Sequence, residues 1–528
     1  MAASKSAQRT RPKAPDATQH VAVAVIGSGF GGIGAGVRLR RAGITDFVIL
    51  ERAGSVGGTW RDNSYPGCAC DVPSHLYSFS FALNPDWPRS FSGQGDIRAY
   101  LEQVTDTFGL RPHLRFHHEV TEARWESAHT RWRITTTGGE WTADALVSAT
   151  GPLSDPQIPE LPGLDAFPGQ VFHSSQWDHG LDLAGKRVAV VGTGASAVQI
   201  VPEIQPKAAR LTLFQRTPGW VLPKLDREIS ALEKRLHRAV PATTALRRAA
   251  LFAVRELQVD AFVRRPGTLK LVQKLALRHL AQQVGDPALR ARLTPDYRIG
   301  CKRILLSQTY YPALAAPNSE VTAGLREVRG STLVAADGSE HQADVIIFGT
   351  GFHVTDMPIG ARVFGADGRN LAEVWKEGME ALRGSTVRGF PNLFFVIGPN
   401  TGLGNSSMIL MIESQLNYLV DALTTLRSVG ATALQPTERA QRHWNQRLQH
   451  RMSRTVWTTG GCRSWYLTED GKNTTLWPGS TGAFRRATRR VDLAEYELIK
   501  RRLPATAAAE ATATAAADAD ADAEEVRA

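Results

Sequence analysis

Two short glycine-rich runs carry the clearest chemical signal in the chain. Gly27-Ser28-Gly29-Phe30-Gly31-Gly32 fits G-x-G-x-x-G, and Gly192-Thr193-Gly194-Ala195-Ser196-Ala197 fits G-x-G-x-x-A. In each, the first glycine makes a tight turn, the second lets backbone approach a pyrophosphate, and the third small residue permits close helix–strand packing. The phosphates then lie at a helix N-terminus, whose free N–H groups and dipole favour anions. One such match is weak; two in strand–turn–helix context are strong. The residue that ends the next strand separates the two sites. Phe47-Val48-Ile49-Leu50 leads to Glu51, 24 positions after Gly27, a carboxylate able to accept from ribose hydroxyls and to repel a 2′-phosphate. Leu211-Thr212-Leu213-Phe214 leads through Gln215 to Arg216, 24 positions after Gly192, a guanidinium suited to bidentate bonding of a 2′-phosphate. The chain therefore reads as carrying an FAD-like site and an NADP-like site.

The elements that must hold these loops are legible around them. Val21–Ile26 and Arg187–Val191 are β-branched or apolar runs suited to strands buried in a parallel sheet. Ala145–Gly151 and Asp344–Gly351 are apolar strands that end in Thr-Gly turns, expected where the chain crosses between two domains. The expected fold is α/β, with two Rossmann-like dinucleotide-binding domains and a helical insertion. The FAD-binding domain is expected from 21–155 and 385–503, the NADP-binding domain from 156–224 and 300–384, and the helical subdomain from 225–299. Residues 1–20 are expected to be a disordered leader and 504–528 a disordered Ala-rich acidic tail.

Composition narrows the class. At 528 residues the chain has room for about three domains. Four cysteines exclude a disulfide scaffold, and no apolar run approaches the ~20 residues of a membrane span. With no apolar signal segment either, a cytoplasmic location is expected. The net charge of +11 rises to +16 without the tail, which carries six acidic residues and one arginine. Between Asp226 and Arg298 there are 15 Lys/Arg against 7 Asp/Glu, with helical apolar spacing at Leu225, Ile229, Leu232 and Leu236. These basic helical faces are expected to be solvated, with weak contact to a membrane surface as the alternative and no nucleic-acid partner. Cys68 and Cys70 stand as C-x-C, whose disulfide would close a small strained ring. Cys301 and Cys462 are too scattered to form a metal set with histidine, so no metal is expected.

A longer motif is more specific. Phe167-Pro168-Gly169-Gln170-Val171-Phe172-His173-Ser174-Ser175-Gln176-Trp177-Asp178 matches F-x-G-x-x-x-H-x-x-x-W-[P/D] in full. It resembles the fingerprint of Baeyer–Villiger monooxygenases, flavoproteins that use FAD and NADPH. Trp177-Asp178 favours that branch over related flavin-containing monooxygenases, whose motif usually ends in Tyr or Phe and then a basic residue. The resemblance runs from Val21 to about Arg490. Gly57-Gly58-Thr59-Trp60, Tyr65-Pro66-Gly67 and Cys68-Ala69-Cys70-Asp71 are similar to the family's flavin-proximal segment, although relatives carry a basic residue just before the aspartate. Gly300-Cys301-Lys302-Arg303 is similar to the stretch bearing its active-site arginine, and Cys462-Arg463-Ser464-Trp465-Tyr466 to its C-terminal segment near the nicotinamide.

The resemblance implies residue roles. FAD would be held by Gly27, Gly29, Gly32, Glu51, Thr59, Trp60, Asp71 and Tyr77. NADP would be held by Gly192, Gly194, Ala195, Ser196, Arg216, Thr217, Lys302 and Trp465. Arg303 would be catalytic, stabilising a flavin peroxide anion and the oxyanion formed when peroxide adds to a carbonyl, with Asp71 holding it. Phe167, Gly169, His173, Trp177 and Asp178 would form the linker fingerprint, His173 being tied to domain movement and Trp177 to packing. The implied reaction inserts one oxygen atom from O2 beside a ketone carbonyl, through a C4a-peroxyflavin, to give an ester or lactone. Nitrogen or sulfur oxygenation, and uncoupled NADPH-dependent flavin reduction or oxidation, are the alternatives.

Overall fold

The computed structural model describes residues 18–500; 1–17 and 501–528, the acidic tail included, lie outside the described residues. Two parallel-stranded sheets organise the chain, each built around one glycine loop. In the first, β1 (Gln19–Ile26) runs parallel to β2 (Phe47–Leu50) on one side and to Gly139–Ser148 on the other. Helix α1 (Phe30–Arg41) connects β1 to β2. Strand β1 begins two residues before Val21: Gln19 and His20 pair with Trp141 and Thr142, because ladder bonds extend past the apolar side chains. An antiparallel meander, Val120–Glu126 and Arg131–Thr136, extends this sheet beyond Gly139–Ser148.

The second sheet has five strands, all parallel. Its centre is β3 (Arg187–Val191), flanked by Val345–Phe348 and β4 (Arg210–Gln215), with helix α2 (Ala195–Ile204) connecting β3 to β4. Gln170–His173 and Ser319–Ala323 form its edges. The chain re-enters the first sheet at Val363–Phe364, which pairs with Ala123–Arg124, and again at Leu393–Phe395 beside Gly139–Ser148. The return therefore begins before residue 385; the first contact is a two-residue edge strand with no apolar run to mark it. Three longer helices fill the insertion: α3 (Ala231–Ala239), α4 (Pro241–Val263) and α5 (Leu269–Gln283).

The two segments that cross between the sheets run side by side. Gln157 N donates to Gly351 O at 2.9 Å and His353 N to Asp155 O at 3.0 Å, with an antiparallel bridge between Pro156 and Phe352. The Thr-Gly turns at 150–151 and 350–351 thus open one paired connection.

Candidate active site

Each glycine loop is pressed against the strand end beside it. Gly27 has φ +97°, and a Cβ there would stand 2.8 Å from the Ala149 carbonyl oxygen; at Gly32 it would stand 1.8 Å from the Gly27 oxygen. Gly192 repeats the arrangement in the second sheet, with φ +115° and the Gly349 oxygen at 2.5 Å. Only hydrogen fits, which leaves the backbone N–H groups open to a phosphate. Helix α1 has no acidic residue in its first turn and α2 has none either, so neither end is already neutralised.

Glu51 is buried at the end of β2. Its Oε2 accepts from Ser28 N at 2.9 Å and Ser28 Oγ at 2.7 Å, and its Oε1 from Ala53 N at 2.9 Å. Arg61 completes the set, pairing with Glu51 at 2.9 Å and with Asp62 at 2.7 Å. Sequence reasoning missed Arg61, since one more arginine in a loop carries no signal. A single cavity runs from Gly27, Gly29 and Glu51 past Thr59, Trp60 and Tyr77 to Arg303 and Trp465. Trp60 Nε1 donates to the Tyr77 hydroxyl at 3.1 Å, their rings edge to face. All nine residues expected around FAD and at the reaction centre therefore share one wall system or its support, Asp71 entering through Arg303 and Gly32 through the Gly27 turn.

Arg303 and Asp71, 232 residues apart in sequence, meet in a bidentate pair: Nε donates to Oδ2 at 2.8 Å and Nη2 to Oδ1 at 2.6 Å. Burial opposes ionisation of Asp71, but the Arg303 charge and its bonds outweigh that and hold the carboxyl below its ordinary range. The Asp71 charge in turn raises Arg303 above its ordinary value. The pair is therefore ionised at neutral pH. Arg255 of α4 and Lys224 add positive charge near Asp71, and the buried Tyr466 hydroxyl faces the pair, its pKa pushed up to about 12 by burial. Tyr466 comes from the segment expected near the nicotinamide; Arg255 and Lys224 were not expected, because each reaches the site from a different segment.

Lys302, the residue before Arg303, turns to the other sheet. Its Nζ donates to Thr217 Oγ1 at 3.0 Å and lies 4.9 Å from the Tyr297 ring centroid. Burial and then the nearby Arg216 charge lower its pKa. Among the described residues neither Arg216 nor Lys302 makes an ion pair, so two repelling cations stand beside the α2 N-terminus. This donor set suits a phosphate dianion. Gln199 of α2 links the halves, accepting from the Tyr65 hydroxyl at 3.0 Å and donating to Ala69 O at 2.9 Å. Ser196 bonds the same tyrosine.

The fingerprint residues gather at the crossing. Gly169 is required because a Cβ would stand 2.2 Å from Asp344 O. Phe167 is buried, Trp177 packs on Phe172 at 5.3 Å, and Asp178 Oδ1 accepts from Gly180 N at 2.9 Å. His173 is fully buried, its ring edge-on to Phe352 at 5.2 Å, and its Nδ1 accepts from Ser175 N at 3.2 Å. Burial lowers its pKa to about 4, although the Gly351 backbone pulls the other way. It is therefore neutral at pH 7, packed where the linker meets the crossing strand. Its folded pKa lies below the unfolded value, so its contribution is full above pH 6.5 and is lost as pH falls toward 4, by roughly 3 kcal/mol at the acid limit. Equilibrium unfolding across that window should show a shallower pH slope for His173→Asn than for the wild type; equal slopes would contradict the assignment.

Cys301 and Cys462 were weighed in the sequence only as metal ligands, and a bond between them was not foreseen. They form a disulfide with Cα atoms 6.1 Å apart across 161 residues, tying the Lys302-Arg303 segment to the segment bearing Trp465 and Tyr466. Cys68 and Cys70 are free thiols. Under denaturing, non-reducing conditions the chain should titrate as two thiols, and Cys462→Ser should raise hydrogen exchange in 460–466 without changing the first sheet. Four titrating thiols would show that the bond does not form. Among the described residues one group, His75, Glu233 and His237, brings metal-ligating atoms within 4.8 Å. Arg227 and Arg247 already pair with Glu233, and their charges oppose a cation, so no metal is assigned there.

Known proteins share this architecture. The family model described as pyridine nucleotide-disulphide oxidoreductase matches residues 24–265. A Baeyer–Villiger monooxygenase of Streptomyces coelicolor is 70% identical over 484 residues, 91% of this chain and 93% of that protein. The chain belongs to the Baeyer–Villiger monooxygenase family. Cyclohexanone monooxygenase from Rhodococcus sp. Phi1, solved with NADP+, matches at 29% identity with a TM-score of 0.80 over 92% of this chain and all of that one. OTEMO, solved with FAD and NADP, matches at 27% identity and a TM-score of 0.81 over 92% of this chain and all of that one. Among the described residues no helix is long and apolar enough to cross a membrane.

Proposed function

We propose that this chain is an FAD- and NADPH-dependent monooxygenase that inserts one oxygen atom of O2 beside a ketone carbonyl, giving an ester or lactone. The observation that carries this reading is the divergence of two consecutive side chains. Lys302 reaches Thr217 beside Arg216, and Arg303 lines the cavity that begins at Gly27 and Glu51. One short segment thereby serves both cofactor sites.

Bound FAD and NADPH supply the reducing equivalents and the activation of O2. The chain supplies the remainder. The first sheet with its Gly27–Gly32 loop, Glu51, Thr59, Trp60 and Tyr77 holds FAD; the second with Gly192–Ser196, Arg216, Thr217 and Lys302 holds NADPH. Arg303 carries a fixed positive charge where an oxyanion develops on the substrate carbonyl, and Asp71 holds its fork in place. Trp465 lines the pocket beside it, with the disulfide restraining its segment. His173 couples the linker to the crossing strands that domain movement must bend. The enzyme acts on a small-molecule ketone in the cytoplasm, its basic helices making weak contact with a membrane surface.

The test is product formation from a ketone panel under ¹⁸O2 with NADPH. One ¹⁸O atom in an ester or lactone, with little hydrogen peroxide, supports the reading. Oxidation of amines or sulfides alone would assign the chain to the alternative oxygenation, and peroxide without oxygenated product to a reductase or oxidase.

A further inference from the structure

Helix α4 is built inside out for a solvated surface helix. Among the described residues sixteen large apolar side chains are exposed, and ten of them fall between Leu225 and Leu277, so exposure is concentrated on the insertion. On α4, Leu246, Ala249, Ala250, Ala253, Val254 and Leu257 are all exposed and recur at three- and four-residue spacing. That spacing makes one stripe, and no charged side chain interrupts it. Two of the five charged side chains of α4 turn inward instead: Arg248 is buried and donates to the carbonyls of Leu76 and Ser78, and Glu256 accepts from Thr481 N and Gly482 N. Of the rest, Arg247 pairs with Glu233, Asp260 with Arg264 and Arg265, and Arg255 donates to Gln258. The expectation of solvated basic faces therefore fails for this helix. Its sequence neighbours interleave leucine with cations, all exposed: Leu232, Arg235 and Leu236 on α3, and Lys270, Leu271, Lys274 and Leu275 on α5.

We propose that this face docks the enzyme on an anionic lipid surface, the α4 stripe lying at the headgroup–acyl boundary and the α3 and α5 cations at the headgroups. Charge decides between occupants. A second copy, pairing through the same patch, would set these basic helices against themselves. The chain's own 504–528 tail has the opposite charge, but beyond alanine it offers only Pro504 and Val526 to fill a leucine stripe. An anionic bilayer supplies both charge and apolar depth. The consequence for catalysis rests on the proposed oxygenase reading: α4 also carries Arg255, whose charge acts on Asp71 and Arg303, so docking would place a helix neighbouring the reaction centre against the lipid.

The experiment is co-sedimentation of the full-length holoenzyme with vesicles of phosphatidylglycerol and phosphatidylcholine in equal parts, and with phosphatidylcholine alone. Binding should require phosphatidylglycerol and fall with added salt. Leu246→Asp with Leu257→Asp, and separately Lys270→Gln with Lys274→Gln, should each weaken it by about tenfold or more. Thermal midpoint and turnover of a water-soluble ketone should stay at wild-type values, since these side chains are exposed and away from the cofactor sites. Absence of vesicle binding, or unchanged binding by both double variants, overturns the proposal. So does a dimer that Leu246→Asp dissolves, or binding gained only on truncation after Leu503, which would give the face to a second copy or to the tail. Vesicle binding without ketone oxidation would leave the docking intact and remove only the oxygenase reading.

Discussion

Arg303→Ala lowers ester or lactone formation by about 10²–10³-fold, while NADPH is still consumed and hydrogen peroxide accumulates in place of product. The magnitude is that of removing one fixed donor from a developing oxyanion. The split between product and peroxide follows from location: Arg303 lines the cavity but takes no part in the Gly27 or Gly192 turns, so both dinucleotide loops persist without it. Asp71→Ala should have a smaller effect of the same kind, because the guanidinium keeps its charge and loses only its two anchoring bonds. Measuring product and peroxide per NADPH consumed checks both variants. An Arg303→Ala enzyme that converts NADPH to product with wild-type yield would remove Arg303 from the chemistry.

Replacing Arg216 and Lys302 together by alanine reduces the preference for NADPH over NADH on the order of 10²–10⁴-fold, through NADPH alone. Bonds to charged groups are worth about 1.5–3 kcal/mol each, and two are lost. Lys302 adds a second signature. In the free enzyme it is partly buried and repelled by Arg216, so Lys302→Met should leave stability unchanged or raised without NADP+. The same variant should lose most of the melting-temperature gain that NADP+ gives the wild type. Steady-state kinetics with both nucleotides and thermal melts with and without NADP+ read these effects. An undiminished NADPH preference would place the 2′-phosphate elsewhere.

The parts of the site that were legible in sequence are those dictated by local backbone chemistry. Gly27, Gly32 and Gly192 are glycines because a Cβ would collide with the carbonyl oxygens of Gly27, Ala149 or Gly349, and such turns leave a spacing any reader can count. Glu51 and Arg216 were legible because each ends the strand after its loop, where geometry fixes the distance to the bound ribose. The fingerprint from Phe167 to Asp178 was legible as a resemblance, and Gly169 shows why one of its positions is fixed: the Asp344 oxygen leaves no room for a side chain.

What the tertiary structure decided lies in pairings between segments far apart in the chain. Arg61 on Glu51, Gln199 on Tyr65 and Ala69, Arg255 near Asp71, and the Cys301–Cys462 bond all join residues whose spacing carries no pattern. Helix α4 makes the same point in reverse. Its mixture of leucine, alanine and arginine reads as an ordinary amphipathic helix, and composition cannot say which face is turned inward. That is settled by Arg248 and Glu256 finding carbonyls and N–H groups on the body of the enzyme. The sequence by itself determined the two dinucleotide folds and their opposite charge preferences, because strand–turn–helix geometry is local. The arginine's partner, the clamp on its segment and the outward apolar face came from tertiary packing, because satisfying a buried charge depends on what the rest of the chain brings within hydrogen-bond distance.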